Sequence, residues 1–129
     1  MARSKILVVD DDIAMREMMA LALRKEGFEV HPAASADEAR QAVGSATFDL
    51  IVTDIYLGDG TGLELLEHCH EACPEAKVIL VTAHGTVETA ASARRLGVFD
   101  YLAKPFEIAT LIERVLAALR RPSDEAAEI

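Results

Sequence analysis

The sequence predicts an α/β fold in which a five-stranded parallel sheet is covered by helices on both faces. Five short apolar runs alternate with segments of helical periodicity. The runs are apolar throughout, which is typical of parallel strands that are buried on both sides. The chain has 129 residues, of which 51% are hydrophobic, and this is enough to build one domain with a real core.

The five predicted strands are short, and their composition favours a specific order. They cover roughly residues 5–10, 28–32, 49–53, 77–82 and 99–103. The second strand is the least apolar and is closed by Pro32, which favours the edge of a sheet. We therefore expect the strand order 2-1-3-4-5 of a flavodoxin-like three-layer sandwich, with the topological switch point between the first and third strands.

The five predicted helices are marked by apolar periodicity and by their boundaries. The patterns run from Met15 to Gly27, from Ser35 to Val43, from Thr61 to Cys73, from Thr86 to Gly97 and from Ile108 to Leu119. Asp12 is expected to cap the first helix and Ser35 the second. Because the apolar pattern ends with the fifth helix, residues 1–120 are expected to form the domain and residues 121–129 a linker or frayed tail.

The composition argues against several classes of function. The formal charge is −9, from 22 acidic and 13 basic side chains, which opposes electrostatic binding to nucleic acid or to anionic lipid. No apolar stretch has the length of a membrane span, no signal-peptide pattern opens the chain, and Cys69 and Cys73 do not make a disulfide framework. We therefore expect a soluble, cytoplasmic domain that contacts neither nucleic acid nor a membrane directly.

Polar side chains stand at the carboxyl ends of four of the predicted strands. They are Asp10, Asp11 and Asp12 after the first strand, Asp54 after the third, Thr82 at the end of the fourth and Lys104 after the fifth. Ligands bind at this edge of an open parallel sheet. Carboxylates crowded together there raise one another's pKa and need a counter-ion. The pattern therefore favours a site for a divalent cation and a phosphoryl group.

Four motifs at these strand ends resemble the receiver domain of two-component response regulators. They lie at residues 6–12, 49–54, 81–83 and 100–106, in the order and at the spacing of that family, and the resemblance covers about residues 4–120. The last motif is most similar to receivers that head nitrogen-regulation-type transcription activators. The resemblance implies signal transduction, in which a sensor histidine kinase or a phosphotransfer protein donates a phosphoryl group to this chain and the chain controls an output partner or domain.

The resemblance assigns the phosphoryl chemistry to three side chains. Asp54 would be the phospho-acceptor. Lys104 would contact Asp54 at rest and a phosphoryl oxygen afterwards, and Thr82 would donate its hydroxyl to another phosphoryl oxygen. The peptide bond between Lys104 and Pro105 would be cis. Such a chain would catalyse only its own phosphorylation and dephosphorylation, and would not be an enzyme with a turnover substrate.

The resemblance also implies Mg²⁺, or Mn²⁺, as the cofactor. Asp11 and Asp54 would be direct carboxylate ligands, the backbone carbonyl of Tyr56 would be a further ligand, and Asp10 would act mainly through a bound water. Gly58 stands where the family usually has proline. The glycine-rich loop after Asp54 would therefore be less rigid than in typical receivers.

Other positions would regulate the switch and its lifetime. Tyr101 would turn inward when Thr82 moves toward the phosphoryl group, as a shift between two populations. The fourth helix, fifth strand and fifth helix would form the output surface, through which a homodimer could also assemble. Tyr56 and His84 would lie beside the phosphoryl group and tune how fast water removes it.

Alternative functions are less consistent with the sequence. A haloacid-dehalogenase-like phosphatase would use Asp10 and Asp12, but Ala14 stands where such enzymes usually have threonine or valine, and Asp54 would have no role. A flavin carrier of the same topology would meet a repulsive acidic crevice, and the chain has no tryptophan. A receiver that only binds partners would not need the complete set of crevice residues. A zinc site in the segment 68–73 would have an incomplete ligand set.

Overall fold

The computed structural model describes residues 3–120 and contains a five-stranded parallel sheet with helices on both faces. The strands are β1 (Lys5–Val9), β2 (Glu29–Ala33), β3 (Leu50–Asp54), β4 (Tyr56–Leu57), β5 (Gly60–Thr61), β6 (Lys77–Thr82) and β7 (Asp100–Ala103). The helices are α1 (Ile13–Lys25), α2 (Ala36–Ser45), α3 (Gly62–Ala72), α4 (Val87–Arg95) and α5 (Ile108–Leu119). The sheet order β2-β1-β3-β6-β7 confirms the predicted arrangement, while the expected tail at 121–129 lies outside the described residues.

Two hydrophobic clusters fill the spaces between the sheet and its helices. The strand residues of the first include Leu7, Val9, Ile51 and Leu80, and those of the second include Ile6, Val8, Leu50, Val52, Ile79 and Val81. The first cluster also contains side chains of α2, α3 and α4, and the second contains side chains of α1 and α5. Because successive strand residues face opposite sides, a strand buried on both sides must be apolar throughout, as the sequence predicted.

Strand β2 lies at one edge of the sheet, as its composition predicted. It pairs in parallel with β1 alone, with Val8 opposite Pro32. Three of its five residues are exposed and two are buried. An edge position tolerates Pro32 because one side of the strand has no neighbour that needs its missing N–H group.

Side-chain caps begin four of the five helices that lie between residues 3 and 120. The capping residues are Asp12, Ser35, Thr61 and Thr86, and each accepts a hydrogen bond from the backbone N–H group three residues later. This confirms the two predicted caps and fixes where each connection turns into a helix. Gly27 and Gly97 follow α1 and α4 with φ of +95° and +85°, which confirms the predicted ends of these two helices.

The short antiparallel hairpin formed by β4 and β5 was not predicted. Tyr56 pairs with Thr61 and Leu57 pairs with Gly60, so that Gly58 and Asp59 form a two-residue connection. The glycines of this segment do not use left-handed backbone, because the positive-φ glycines of the described chain are elsewhere. The hairpin therefore gives this glycine-rich segment an order that its composition alone did not indicate.

None of the helices between residues 3 and 120 combines the length and apolarity that a membrane span requires.

Candidate functional site

A cavity of about 370 Å³ opens at the carboxyl ends of the central strands. Its lining residues are Asp10, Asp11, Asp12, Met15, Asp54, Tyr56, Ala83, His84 and Lys104. Strands β1 and β3 are adjacent in the sheet but are followed by helices on opposite faces, so the chain leaves a crevice between them. The cavity thus lies at the predicted switch point.

Lys104 joins the two buried carboxylates of this cavity. Its Nζ lies 2.8 Å from Oδ2 of Asp10 and 2.8 Å from Oδ2 of Asp54. Burial by itself would lower the pKa of Lys104, but the hydrogen bonds and charges of the two carboxylates outweigh it and raise that pKa above its usual value. The single ammonium group of Lys104 therefore forms ion pairs with two carboxylates, and the site keeps an excess of negative charge.

The chain's own donors occupy every oxygen of Asp10. Oδ1 accepts a hydrogen bond from the N–H group of Asp12 at 2.9 Å, Oδ2 contacts Lys104, and the backbone carbonyl accepts from Nη1 of Arg16 at 2.7 Å. Asp10 is 1% exposed. The side chain of Asp10 is therefore held in one orientation by donors of its own chain.

Arg16 is a site-supporting residue that the sequence analysis missed. It lies in the first turn and a half of α1, and its guanidinium fixes the end of β1 by reaching back to the carbonyl of Asp10. The available signal was its spacing from Asp12, four residues before it on the same helix face. That spacing alone also fits an ordinary surface ion pair, so it did not single out Arg16.

Asp54 ends β3 and is the buried carboxylate nearer to solvent, at 9% exposure. Its Oδ1 accepts a hydrogen bond from the N–H group of Tyr56 at 3.1 Å, and its Oδ2 contacts Lys104. The backbone of Gly62 lies close to that of Asp54, so that a Cβ atom on Gly62 would overlap the carbonyl oxygen of Asp54. A glycine is needed at that position for the following helix to approach β3 so closely.

The donor chemistry of the cavity fits Mg²⁺. Within residues 3–120, no three His, Cys, Asp or Glu side chains already converge as a metal-binding cluster. Mg²⁺ does not require such a cluster, because it keeps several waters and commonly uses one or two carboxylates. Asp11 and Asp54 line the cavity together with Tyr56, and the unbalanced negative charge favours a dication.

Thr82 and Tyr101 both lie against Gly85, at the start of the connection from β6 to α4. Thr82 is 2% exposed, and its Oγ1 accepts a hydrogen bond from the N–H group of His84 at 3.2 Å. Tyr101 is half-buried, packs against the first hydrophobic cluster, and has its hydroxyl 3.5 Å from Oγ1 of Thr89. Thr82 and Tyr101, to which the family resemblance assigns the switch, therefore both contact the backbone at Gly85.

Tyr56 and His84 stand across the mouth of the cavity from each other. Their ring centroids are 6.4 Å apart at an interplanar angle of 65°. Both side chains are exposed, and both line the cavity that contains Asp54. The Lys104–Pro105 peptide bond on the other side of the cavity is cis.

Cys69 of α3 and Cys73, which follows that helix, belong to the core and lie away from this cavity. Cys69 is 1% exposed and Cys73 is 8% exposed, and both are free thiols. Burial, together with the neighbouring Cys73, raises the pKa of Cys69 to about 12. Cys69 therefore stays a neutral thiol at physiological pH and behaves as a small hydrophobic side chain, rather than as a metal ligand.

A larger cavity, of about 640 Å³, lies at the opposite end of the sheet, between the ends of α2 and α3. Its ionisable lining residues are Asp49, Cys73 and Glu75. Oδ2 of Asp49 already accepts a hydrogen bond from the backbone N–H group of Lys5 at 2.7 Å. These residues make no acid–base or metal-binding set, so size does not identify the functional site here.

Comparison with known proteins agrees with the geometry of the site. The family model described as "response regulator receiver domain" matches residues 6–116. The chain is 38% identical over 128 residues to the response regulator protein PilR of Pseudomonas aeruginosa, covering 99% of this chain and 29% of PilR. It is 35% identical over 127 residues to the DNA-binding transcriptional regulator NtrC of Azospirillum brasilense, covering 98% of this chain and 26% of NtrC. The chain thus spans less than a third of the length of these two relatives.

A solved structure adds chemical detail about a similar protein. It is a response regulator protein from Burkholderia pseudomallei with a phosphorylated aspartic acid, a calcium ion and citrate. The TM-score is 0.81 at 31% sequence identity, and the match covers 97% of this chain and 71% of that one. The similarity to NtrC confirms the predicted likeness to nitrogen-regulation-type regulators. With the family model matched over most of its length, this chain belongs to the response regulator receiver domain family.

Proposed function

We propose that this chain is the phosphoryl-accepting switch of a two-component system and that Asp54 is the acceptor. The observation that carries the proposal is the ion-pair arrangement at the cavity, where Lys104 contacts both Asp10 and Asp54 at 2.8 Å. Of the two carboxylates, only Asp54 is partly open to solvent. The similar Burkholderia pseudomallei protein has a phosphorylated aspartic acid, which supports an aspartate as the acceptor in this chain too.

The chemistry of the proposed transfer follows from these contacts. A carboxylate oxygen of Asp54 forms a bond to phosphorus while the bond between phosphorus and a histidine nitrogen of the kinase or phosphotransfer protein breaks. Mg²⁺, when bound, supplies positive charge that offsets the repulsion between the two anions. Lys104 is already held at the acceptor and can pair with a phosphoryl oxygen, while Asp10 keeps the ammonium in place. Asp11, Asp54 and the carbonyl of Tyr56 would hold the metal.

The acceptor assignment is tested by intact mass after incubation with acetyl phosphate and Mg²⁺. The native chain is expected to gain one phosphoryl group, and Asp54→Asn is expected to gain none, because an amide oxygen is too weak a nucleophile for this transfer. The native chain with a chelator is the second control. Equal labelling of the native and Asp54→Asn chains would show that the acceptor is elsewhere.

The phosphatase alternative receives less support from the geometry. In that alternative, Asp10 and Asp12 would be the catalytic pair. The buried carboxylate of Asp10 is held by Lys104 and by the N–H group of Asp12, and Oδ1 of Asp12 accepts the capping hydrogen bond from Met15 at 3.2 Å. Both side chains are therefore engaged in holding the start of α1 and the lysine.

Tyr56 is proposed to slow the loss of the phosphoryl group. Its ring stands at the mouth of the cavity beside the acceptor, 43% exposed, where it crowds the approach of water. We expect phosphorylated Tyr56→Asn to lose phosphate faster than the native protein, by about tenfold, which corresponds to about 1.4 kcal/mol in the activation barrier. The decay of intact mass with time measures both rates. Indistinguishable decay curves would remove Tyr56 from this role.

The surface formed by α4, β7 and α5 is proposed to carry the output and to form a homodimer on phosphorylation. Asp100 there is held within the chain, with Oδ2 2.7 Å from Nη1 of Arg114, so a second copy would have to exchange or extend this ion pair. Solution mass measured with and without beryllofluoride and Mg²⁺ tests the association. An unchanged mass would exclude the phosphorylation-dependent dimer.

The proposed function includes three further points: a sensor histidine kinase or phosphotransfer protein is the partner, the location is cytoplasmic, and the chain has no turnover substrate.

A further inference from the structure

The hairpin that follows the acceptor strand is fastened to the start of α2 by one side chain. Oδ1 of Asp59 accepts a hydrogen bond from the N–H group of Ala36 at 2.8 Å, and Oδ2 accepts from the N–H group of Asp37 at 2.9 Å. These are the first two N–H groups of α2, which have no partners inside the helix. Both carboxylate oxygens of Asp59 are thus used to join two segments that are more than twenty residues apart in the sequence.

The surroundings of Asp59 reinforce this junction. A Cβ atom on the neighbouring Gly60 would lie 3.4 Å from Cβ of Ala36 and 3.6 Å from Nη2 of Arg40, so the hairpin tip packs directly on α2. A negative charge is stabilised at a helix N-terminus. The N–H groups of Asp37 and Ala36, with the charge of Arg40, lower the pKa of the Asp59 carboxyl. Asp59 is therefore ionised at neutral pH.

The same hairpin leads directly into the proposed metal site. Asp59 lies in its two-residue turn, and Tyr56 lies on its first strand, paired with Thr61. Tyr56 lines the cavity and donates its N–H group to Oδ1 of Asp54. The base of the hairpin is held separately by Thr61, whose Oγ1 caps α3 through the N–H group of Glu64 at 3.1 Å. Asp59 attaches the tip of the hairpin to α2.

We propose that Asp59 is a positioning residue for the metal site, which acts by fixing the hairpin so that the backbone at Tyr56 is held toward the cavity. This inference rests on the proposed function, in which the carbonyl of Tyr56 is a metal ligand. Asp59 supplies through a side chain the loop rigidity that a proline at position 58 would otherwise provide.

Ser35 provides a matched control because its side chain caps the same helix and, among the described residues, makes no hydrogen bond to the hairpin. Its Oγ accepts a hydrogen bond from the N–H group of Glu38 at 3.1 Å. Ser35→Ala and Asp59→Ala each remove acceptors from the N-terminus of α2, so both are expected to lower its stability. Only Asp59→Ala also releases the hairpin. A difference between the two variants therefore separates positioning from helix capping.

The test is the affinity for Mg²⁺ of the native, Asp59→Ala, Asp59→Asn and Ser35→Ala chains, measured by isothermal titration calorimetry with MgCl₂. Denaturant unfolding of each chain in EDTA gives the stability without metal. We expect the Kd for Mg²⁺ to rise about tenfold in Asp59→Ala, the lower end of the range for residues that orient metal ligands, and to stay near the native value in Ser35→Ala. Asp59→Asn keeps one acceptor oxygen and is expected to lie between them.

The outcomes distinguish this inference from the proposed function. A native chain that binds no Mg²⁺ would overturn the proposed function and the inference together. A native chain that binds Mg²⁺ while Asp59→Ala and Ser35→Ala show the same Kd would overturn the positioning role alone. If Asp59→Ala does not fold, the Kd of Asp59→Asn decides, and a native value there would count against the inference.

Discussion

Replacing Lys104 by methionine is expected to lower the free energy of unfolding by about 3 kcal/mol at neutral pH. The native ammonium lies 2.8 Å from each of two carboxylates, and its own side chain is 12% exposed. Methionine fills a similar volume but leaves Asp10 and Asp54 facing each other without a cation. This loss in the free energy of unfolding is at the lower end of the range for breaking a buried ion pair, because water can reach Asp54 at the cavity. Denaturant unfolding in EDTA measures the difference.

Two further results are expected from the same variant. Mg²⁺ should stabilise Lys104→Met more than the native chain, since a dication replaces part of the missing charge. The double variant Lys104→Met with Asp10→Asn should recover part of the loss, because one of the two carboxylates is then neutral. Lys25→Met, at the exposed end of α1, is the control for losing one positive charge. If Lys104→Met were as stable as Lys25→Met, the charge balance described for the cavity would be wrong.

The pH dependence of the ion pair has a defined sign. The pKa of Lys104 is raised above the ordinary lysine value of 10.5. A group whose pKa is higher in the folded state contributes stability that is complete below its unfolded value and is lost as the pH rises through the folded value. The difference in stability between the native and Lys104→Met chains should therefore be present at neutral pH and shrink as the pH rises above about 10.5.

Replacing Gly85 by alanine is expected to displace Tyr101 and to lower the free energy of unfolding by about 2 kcal/mol. A Cβ atom at position 85 would overlap the hydroxyl of Tyr101 and would lie 2.8 Å from its Cζ and 3.0 Å from Cγ2 of Thr82. The ring must then move away from α4 or turn outward. Because the sequence has 2 tyrosines, the ring resonances of Tyr101 can be followed by NMR in a tyrosine-labelled chain.

A double-mutant cycle isolates this contact. Tyr101→Phe removes the hydroxyl but leaves the ring carbon at 2.8 Å, so the double variant should recover part, and not all, of the cost of Gly85→Ala. Gly58→Ala is the matched control, because a Cβ atom there meets nothing within 4 Å. Strictly additive free energies for Gly85→Ala and Tyr101→Phe would show that the two residues do not contact each other in solution.

The sequence predicted the sheet, its order and the location of the site because these depend on local patterns. Continuous apolar runs required strands that are buried on both sides, and Pro32 marked the edge strand. Once the strands were parallel, their carboxyl ends had to meet, so the polar residues that follow them were expected in one crevice. The caps at Asp12 and Ser35 were predictable for the same reason, since each bond spans three residues.

The tertiary structure decided how deeply each of these polar groups is buried. Both Asp10 and Asp54 follow apolar strands, and nothing local distinguishes them. They differ in burial, since Asp10 is 1% exposed and Asp54 is 9% exposed, while Lys104, far away in the sequence, contacts both carboxylates.

The tertiary structure likewise orders the segment after Asp54, which its glycine content predicted to be less rigid. The hairpin after Asp54 is held because α2 packs where Asp59 can reach its first N–H groups. By itself the sequence determined the fold and the edge of the sheet where the polar side chains gather, because strand burial and strand direction are local in origin. Contacts between distant segments depend on how the helices pack, and they alone determined the surroundings of Asp54 and the attachment of the hairpin that follows it.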